Sequence, residues 1–339
     1  EIFYEDLVGL KRQDCLKKIS AFLGAEVIEP HVSPYIRQNP EPLIDLIENY
    51  QEIADCLKGT PYENMLEEDE LEQKKGNFVI IGSARTGSNY LVESLRKHKD
   101  ICCHTELYSK GATDSSPMLT RLDPAETMRS IAWRNAHPVE FLNGIWKSTH
   151  TRSIIGFKLI FDQSPEALEA VVNDTDVQKI IIRRKNRVRQ YVSFQIALQS
   201  KVWGVRNGEQ TQSANITIDP ELFKEYASHV EYHYSQLLKR LEDSGQEYVE
   251  IYYEEVMGPN REKYMEKICT FLGAEYKEGL SASLIKQNAG PLSKVIENYE
   301  EVEAALKGTQ FESMLYQEDL DCSSAKVSAQ VEPGPLVKS

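Results

Sequence analysis

Gly82-Ser83-Ala84-Arg85-Thr86-Gly87-Ser88-Asn89 follows the short apolar run Asn77-Phe78-Val79-Ile80-Ile81 and precedes Tyr90-Leu91-Val92-Glu93-Ser94-Leu95-Arg96, which has helical spacing. A strand that empties through a glycine-bounded turn into a helix is the geometry of an anion cradle. Backbone N–H groups at the helix start, with the hydroxyls of Thr86 and Ser88, can wrap a phosphate. The stretch is close to the nucleotide-binding pattern GxxxxGK[ST], but no Lys follows Gly87 and the positive charge sits earlier, at Arg85. That departure counts against a P-loop kinase, whose Lys reaches the terminal phosphates. For the loop taken alone, the plain alternative is a glycine turn before a core helix.

Outward from this loop, strand and helix patterns alternate. Residues 154–161 and 179–182 are apolar strand candidates separated by a helical pattern over 165–172, and a further helix is expected around 190–199. A longer helix starts with Asp219 as N-cap and Pro220 in its first turn, with Phe223, Tyr226, Val230, Leu237 and Leu241 as its apolar stripe. Residues 248–253 read as a strand, followed by a helix over 260–272 that Gly273 ends. The alternation predicts an α/β fold, a central parallel sheet covered on both faces.

Residues 1–70 repeat residues 250–319 at an offset of 249 without a gap, with about 31 of the 70 positions identical. Phe22-Leu23-Gly24-Ala25-Glu26 lies on Phe271-Leu272-Gly273-Ala274-Glu275, and Ile47-Glu48-Asn49-Tyr50 on Ile296-Glu297-Asn298-Tyr299. Such a period suits a whole domain rather than a solenoid. Residues 1–70 are therefore expected to be the C-terminal end of a preceding copy, 71–320 a complete domain, and 321–339 a flexible tail. The charged stretch 67–76 marks the boundary, and the start at Glu1 fits a fragment of a longer tandem protein.

A net charge of −14 argues against general nucleic-acid binding, so any bound anion must be gripped locally. No run approaches the ~18 apolar residues of a membrane span. The six cysteines form no CxxC, which suits reduced thiols and a cytoplasmic location, although a targeting signal ahead of Glu1 stays open. Self-association as a homo-oligomer is also open.

A second basic element follows at Ile180-Ile181-Ile182-Arg183-Arg184-Lys185-Asn186-Arg187-Val188-Arg189-Gln190-Tyr191-Val192-Ser193. A strand runs into five basic residues out of seven, then a helix carries a serine on its first turns. With the first loop, this suits a second, separate phosphate held by a guanidinium and a hydroxyl. On these two elements the chain resembles the sulfotransferases that use 3′-phosphoadenosine 5′-phosphosulfate (PAPS). Residues 82–91 are similar to that family's Pro-[Arg/Lys]-[Ser/Thr]-Gly-[Ser/Thr] loop, with Ala84 in place of the Pro. Arg184 and Ser193 resemble its 3′-phosphate element at a spacing one residue longer than the commonest. Ala197-Leu198-Gln199-Ser200-Lys201-Val202-Trp203 is similar to the Ala-x-Gln-Thr-x-x-Trp of the trehalose 2-sulfotransferase-like branch, and Tyr253-Glu254-Glu255-Val256 to a late Tyr-Glu-Asp-Leu strand, matched outright by Tyr4-Glu5-Asp6-Leu7.

The resemblance implies a three-layer P-loop fold with a helical C-terminal part. It implies PAPS as co-substrate, bound by Arg85, Thr86, Gly87, Ser88, Asn89, Arg184 and Ser193, and a hydroxyl-bearing small-molecule or carbohydrate acceptor. Sulfuryl transfer needs a base for the hydroxyl, positive charge at the leaving oxygen and donors to the sulfuryl oxygens. Arg85 suits the leaving oxygen. Glu106, in a short strand-and-turn that should return to the sheet edge beside the loop, is the favoured base, with His104 its rival. Lys158 alternates with apolar neighbours on an inner strand; it reaches the sulfuryl group or makes an ion pair. Trp203 would line the pocket or the core, and residues 108–150, with Trp133 and Trp146, are expected to build the acceptor wall. No metal is expected: Cys102, Cys103, His104 and Glu106 lack chelate spacing. A non-catalytic copy in a tandem array is the alternative from outside the enzyme classes.

Overall fold

The computed structural model describes residues 17–19, 21–22, 49–60, 76–109, 131–147, 152–203, 205–206, 215–280, 282, 284–285 and 290–317. Its centre is a five-stranded parallel sheet of β1 (Gly76–Gly82), β2 (Ile101–Glu106), β3 (Ile154–Ile160), β4 (Val177–Arg183) and β6 (Tyr248–Tyr252), in the order β2-β3-β1-β4-β6. A two-residue strand β5 (Val205–Arg206) pairs antiparallel with β7 (Leu284–Ile285) apart from this sheet. From β1 the chain runs to the edge strand β2, returns to β3 beside β1, then crosses to β4 on the other side of β1. In such sheets the crevice beyond the carboxyl ends at this crossover is where ligands bind. Gly82 is in register with both Ile160 and Ile182, so three strands end at one level beneath the loop.

Alternate residues of each inner strand feed opposite faces, which is why these segments read as continuous apolar runs. Val79, Ile81, Phe157, Leu159 and Ile181 pack with α4 (Pro138–Lys147), α5 (Pro165–Asn173) and α7 (Pro220–Asp243). Phe78, Ile80, Ile180, Ile182 and Ile251 pack with α2 (Ser88–Arg96) and α9 (Arg261–Phe271). The result is the three-layer α/β architecture anticipated above. A third cluster joins α6 (Arg187–Ser200) and the start of α7 to α10 (Tyr299–Leu306) and α11 (Glu312–Tyr316), the helical C-terminal part. Two further short helices are α3 (Ile131–Ala136), just ahead of α4, and α8 (Tyr253–Val256), directly after β6.

The caps act where expected. Asp219 accepts from the backbone N–H groups of Glu221 and Leu222, with Pro220 in the first turn of α7. Gly273 ends α9 at φ 73°. The helix expected from 190 begins earlier, at Arg187, because the Asn186 side chain caps it by accepting from Arg189 N at 2.9 Å. The strand expected over 248–253 stops at Tyr252, where the Glu255 carboxylate accepts from Tyr252 N and turns the chain into α8.

Most of residues 1–70 and all of the tail expected over 321–339 lie outside the described residues. Within the repeat, α1 (Tyr50–Leu57) and α10 are matching eight-residue helices at the expected offset of 249. In both, a Thr hydroxyl closes the end on a Leu carbonyl at 2.6 Å, Thr60 on Leu57 and Thr309 on Leu306, beside Gly59 and Gly308, each at φ 74°. Val302 and Leu306 of α10 are buried, whereas α1 buries no residue. Among the described residues no helix is long and apolar enough to cross a membrane.

Candidate active site

The loop after β1 is held by contacts from three sides. Tyr234 of α7 accepts from Ser83 N (2.9 Å) and donates to Ile182 O (2.6 Å). Gln190 of α6 donates to Ser83 Oγ and to Ala84 O, both at 2.7 Å. Thr86 Oγ1 donates to Ser83 O at 2.9 Å and is fully buried. Its single hydroxyl proton is thereby used inside the loop, so Thr86 presents backbone rather than a hydroxyl to an anion. Gly87 is the N-cap of α2 at φ 77°, a conformation costly for a side-chain-bearing residue. A Cβ there would also lie 2.8 Å from a Tyr253 ring carbon. Because Gly87 gives α2 no side-chain cap, the first backbone N–H groups of that helix, with the buried Ser88, remain available to an anion.

Arg85 adopts φ 64°, the left-handed region, and turns its side chain along the loop to α6. Its Nε donates to Ser193 Oγ at 2.9 Å, and its Nη1 donates to the Trp203 carbonyl. Arg184, just beyond β4, donates from Nη1 to the Arg85 carbonyl at 3.3 Å and stacks its guanidinium 4.3 Å from the centre of the Tyr253 ring. Burial, then the neighbouring Arg184, pulls the Arg85 pKa down to about 10. Two positive groups are thus held together, partly out of water, at the end of a helix N-terminus.

The late Tyr-Glu motif has a visible purpose. The Tyr253 ring lies between Gly87 and Arg184, and Glu254 accepts from the backbone N–H groups of Lys185 (3.0 and 3.1 Å) and Asn186 (3.3 Å), shaping the turn that carries Arg184. The rest of the basic run does other work. Arg183 pairs with Glu231 and Glu250, each at 2.8 Å, Arg187 pairs with Glu231 at 2.6 Å, and Lys185 lies 3.6 Å from Glu255. Arg189 donates to the carbonyls of Gln317 and Gly290. Of these five basic residues, Arg184 reaches the loop through the Arg85 carbonyl.

At the other end of the loop, Lys158 Nζ lies 2.5 Å from Glu106 Oε1 and donates to Asn89 Oδ1 of α2. A register shift between His104 and Glu106 sets Glu106 directly beside Lys158 at the rim of the sheet. Gln163 Nε2 donates to Glu106 Oε2 at 2.6 Å. Burial lowers the Lys158 pKa, while Glu106 acts in the opposite direction. His104 is fully buried, with Nε2 3.5 Å from Cys102 Sγ, whereas Glu106 is a third exposed. Of the two candidate bases, Glu106 is therefore the one solvent and an acceptor can reach.

Of the candidate catalytic and binding residues, Arg85, Arg184 and Ser193 lie at one end of the loop and Asn89, Lys158 and Glu106 at the other, while His104 lies apart from both. Trp203 is 45% exposed, with its ring 6.2 Å from Phe194, and so is not a core residue. Of the wall expected over 108–150, residues 108–109 and 131–147 are described. There Trp133 and Trp146 pack against the core on the α7 face. Gln190, Tyr234 and Gln163 were not anticipated; nothing in a linear sequence marks an amide or a phenol as a loop anchor.

No family model matches the chain, and no curated protein is similar to it at a significant level. Two solved structures show a distant likeness. One is a sulfotransferase from Alicyclobacillus acidocaldarius, 12% identical, covering 72% of this chain and 96% of that one at a TM-score of 0.35. The other is mouse sulfotransferase SULT7A1 complexed with PAP, 16% identical, covering 74% of this chain and 78% of that one at a TM-score of 0.34. A likeness at this level carries no activity to the chain.

Proposed function

We propose that the chain is a sulfotransferase domain, moving the sulfuryl group of PAPS to a hydroxyl of a small-molecule or carbohydrate acceptor. The observation that carries this reading is the convergence of Arg85, Arg184 and Ser193 beside the uncapped N-terminus of α2. A chain of net charge −14 keeps two guanidinium groups together, partly desolvated, only at an energetic cost, and an anionic ligand would offset it. The donor set fits the co-substrate. Backbone N–H groups of residues 87–89 suit one phosphate, and Arg184 with Ser193 suits a second, while a kinase-type Lys after Gly87 is absent. When bound, PAPS supplies the sulfuryl group and an anionic leaving oxygen.

The roles then follow from the protein's own groups. Arg85 places fixed positive charge at the cradle for the leaving oxygen. On this reading Lys158, shared between Asn89 and Glu106, supplies the ammonium that neutralises the sulfuryl oxygens. An anion entering the cradle competes with Glu106 for that ammonium. The carboxylate so released stays tethered by Gln163 and takes the proton of the acceptor hydroxyl. The working unit on this reading is residues 71–320, since residues 1–70 contain neither anion element.

Thermal unfolding of the full chain with adenosine 3′,5′-bisphosphate, beside ATP with magnesium, tests the reading. A ligand at about a hundred times its Kd stabilises by roughly 2.7 kcal/mol, a rise of several degrees for a domain this size. A rise with the bisphosphate alone is expected. A rise with ATP–magnesium alone would return the chain to the kinases, and no rise with either would mark a silent copy.

A further inference from the structure

Beside the candidate active site lies a cluster that the proposed chemistry does not use. His229 and His233 are four residues apart on one face of α7, with ring centres 4.3 Å apart and Nε2 atoms 3.0 Å apart. Asp162, in the turn after β3, brings Oδ1 to 3.8 Å from His229 Nε2 and 4.0 Å from His233 Nε2. The two rings are within hydrogen-bond distance of each other, and the carboxylate makes an ion-pair contact with each ring but no hydrogen bond to either. A point equidistant from the three atoms lies about 2.1 Å from each, the length of a zinc–imidazole or zinc–carboxylate bond. His233 is set in place by stacking on Phe161, ring centres 5.2 Å apart. Asp162 and His229 are well exposed, which gives a cation a path in and leaves room for water on its open positions.

We propose that Asp162, His229 and His233 form a site for one divalent cation of the zinc class, with two imidazole nitrogens, one carboxylate oxygen and solvent as ligands. Two nitrogens among three protein ligands favour zinc, cobalt or nickel over magnesium and calcium, which take oxygen. A cation there would tie the turn after β3 to α7. That turn carries Gln163, which holds Glu106.

The test is titration of the full chain, freed of metal by chelation and without nucleotide, with Co²⁺ and then Zn²⁺, followed by visible absorption and calorimetry. Saturable uptake of one equivalent is expected, with weak absorption, no thiolate charge-transfer band, and displacement by zinc. His229→Gln with His233→Gln, and separately Asp162→Asn, should lower affinity roughly tenfold or more, the scale on which even groups behind a ligand matter. Metal-free circular dichroism should not change, because Asp162 and His229 are exposed and His233 is only partly buried. No saturable uptake, uptake that survives the paired histidine change, or a thiolate band from cysteine ligation would each overturn the assignment.

Discussion

Replacing Arg85 by Met should leave the ligand-free protein as stable as before, or slightly more so, while removing its response to adenosine 3′,5′-bisphosphate. Burial and Arg184 hold the Arg85 guanidinium at about 10, well below the usual arginine value. At ~1.4 kcal/mol per tenfold in proton affinity, keeping it charged costs the folded state about 3 kcal/mol. The folded state binds this proton less tightly than the unfolded chain. Stability tied to the group therefore rises only as pH climbs past about 10, and at pH 7 the whole cost is present. Against it stand the bonds from the charged Arg85 to Ser193 Oγ and the Trp203 carbonyl, about 1.5 kcal/mol each, the low end for a charged donor because neither bond is fully buried. Met keeps the stem packing, and the left-handed backbone at φ 64° is common to both proteins. The net is a change of about 1 kcal/mol or less, read as an apparent Tm within a few degrees of the parent. In the same melts the parent rises with bisphosphate and the variant does not. A loss of 3 kcal/mol or more on substitution would refute the reasoning, because Arg85 would then be a clamp between loop and helix rather than a charge held ready for an anion.

Glu106→Gln should keep the bisphosphate-induced rise in Tm and lower turnover by about a hundredfold or more, the usual contribution of a general base. An undiminished rate with a fully folded variant would remove Glu106 from the mechanism and return attention to His104. Gly87→Ala should lower stability by at least 1–2 kcal/mol for the left-handed backbone alone. It should also weaken bisphosphate binding in calorimetry, because the new methyl displaces the Tyr253 ring on which Arg184 lies. Unchanged affinity in that variant would show that the ring does not position Arg184.

What could be read from the sequence, and what could not, divides along a physical line. Buried parallel strands announce themselves locally, since both faces are covered and residues such as Val79-Ile80-Ile81 or Ile180-Ile181-Ile182 are apolar without a break. Caps are equally local: Asp219-Pro220 carries its whole argument within four residues. The loop from Gly82 to Asn89 belongs to the same class, because its function as a turn depends on its neighbours in sequence. The basic run does not. Its five positive charges look equivalent in a line, yet Glu231 and Glu250, some 40 to 70 residues downstream, take Arg183 and Arg187, and the carbonyls of Gly290 and Gln317 take Arg189. Only the fold selects Arg184.

The same reasoning explains why the Lys158–Glu106 pair of the candidate site was only half legible. A lysine on an inner strand demanded a partner, but which partner depended on a register shift in β2, between His104 and Glu106, that no local pattern encodes. Without the shift, His104 and Glu106 would share one face of the strand. With it, the histidine is sealed against Cys102 and the glutamate meets Lys158 at the rim. One unpaired backbone position thus separates a buried imidazole from a carboxylate within reach of solvent, and the proposal of Glu106 as base rests on that geometry more than on either residue's chemical suitability.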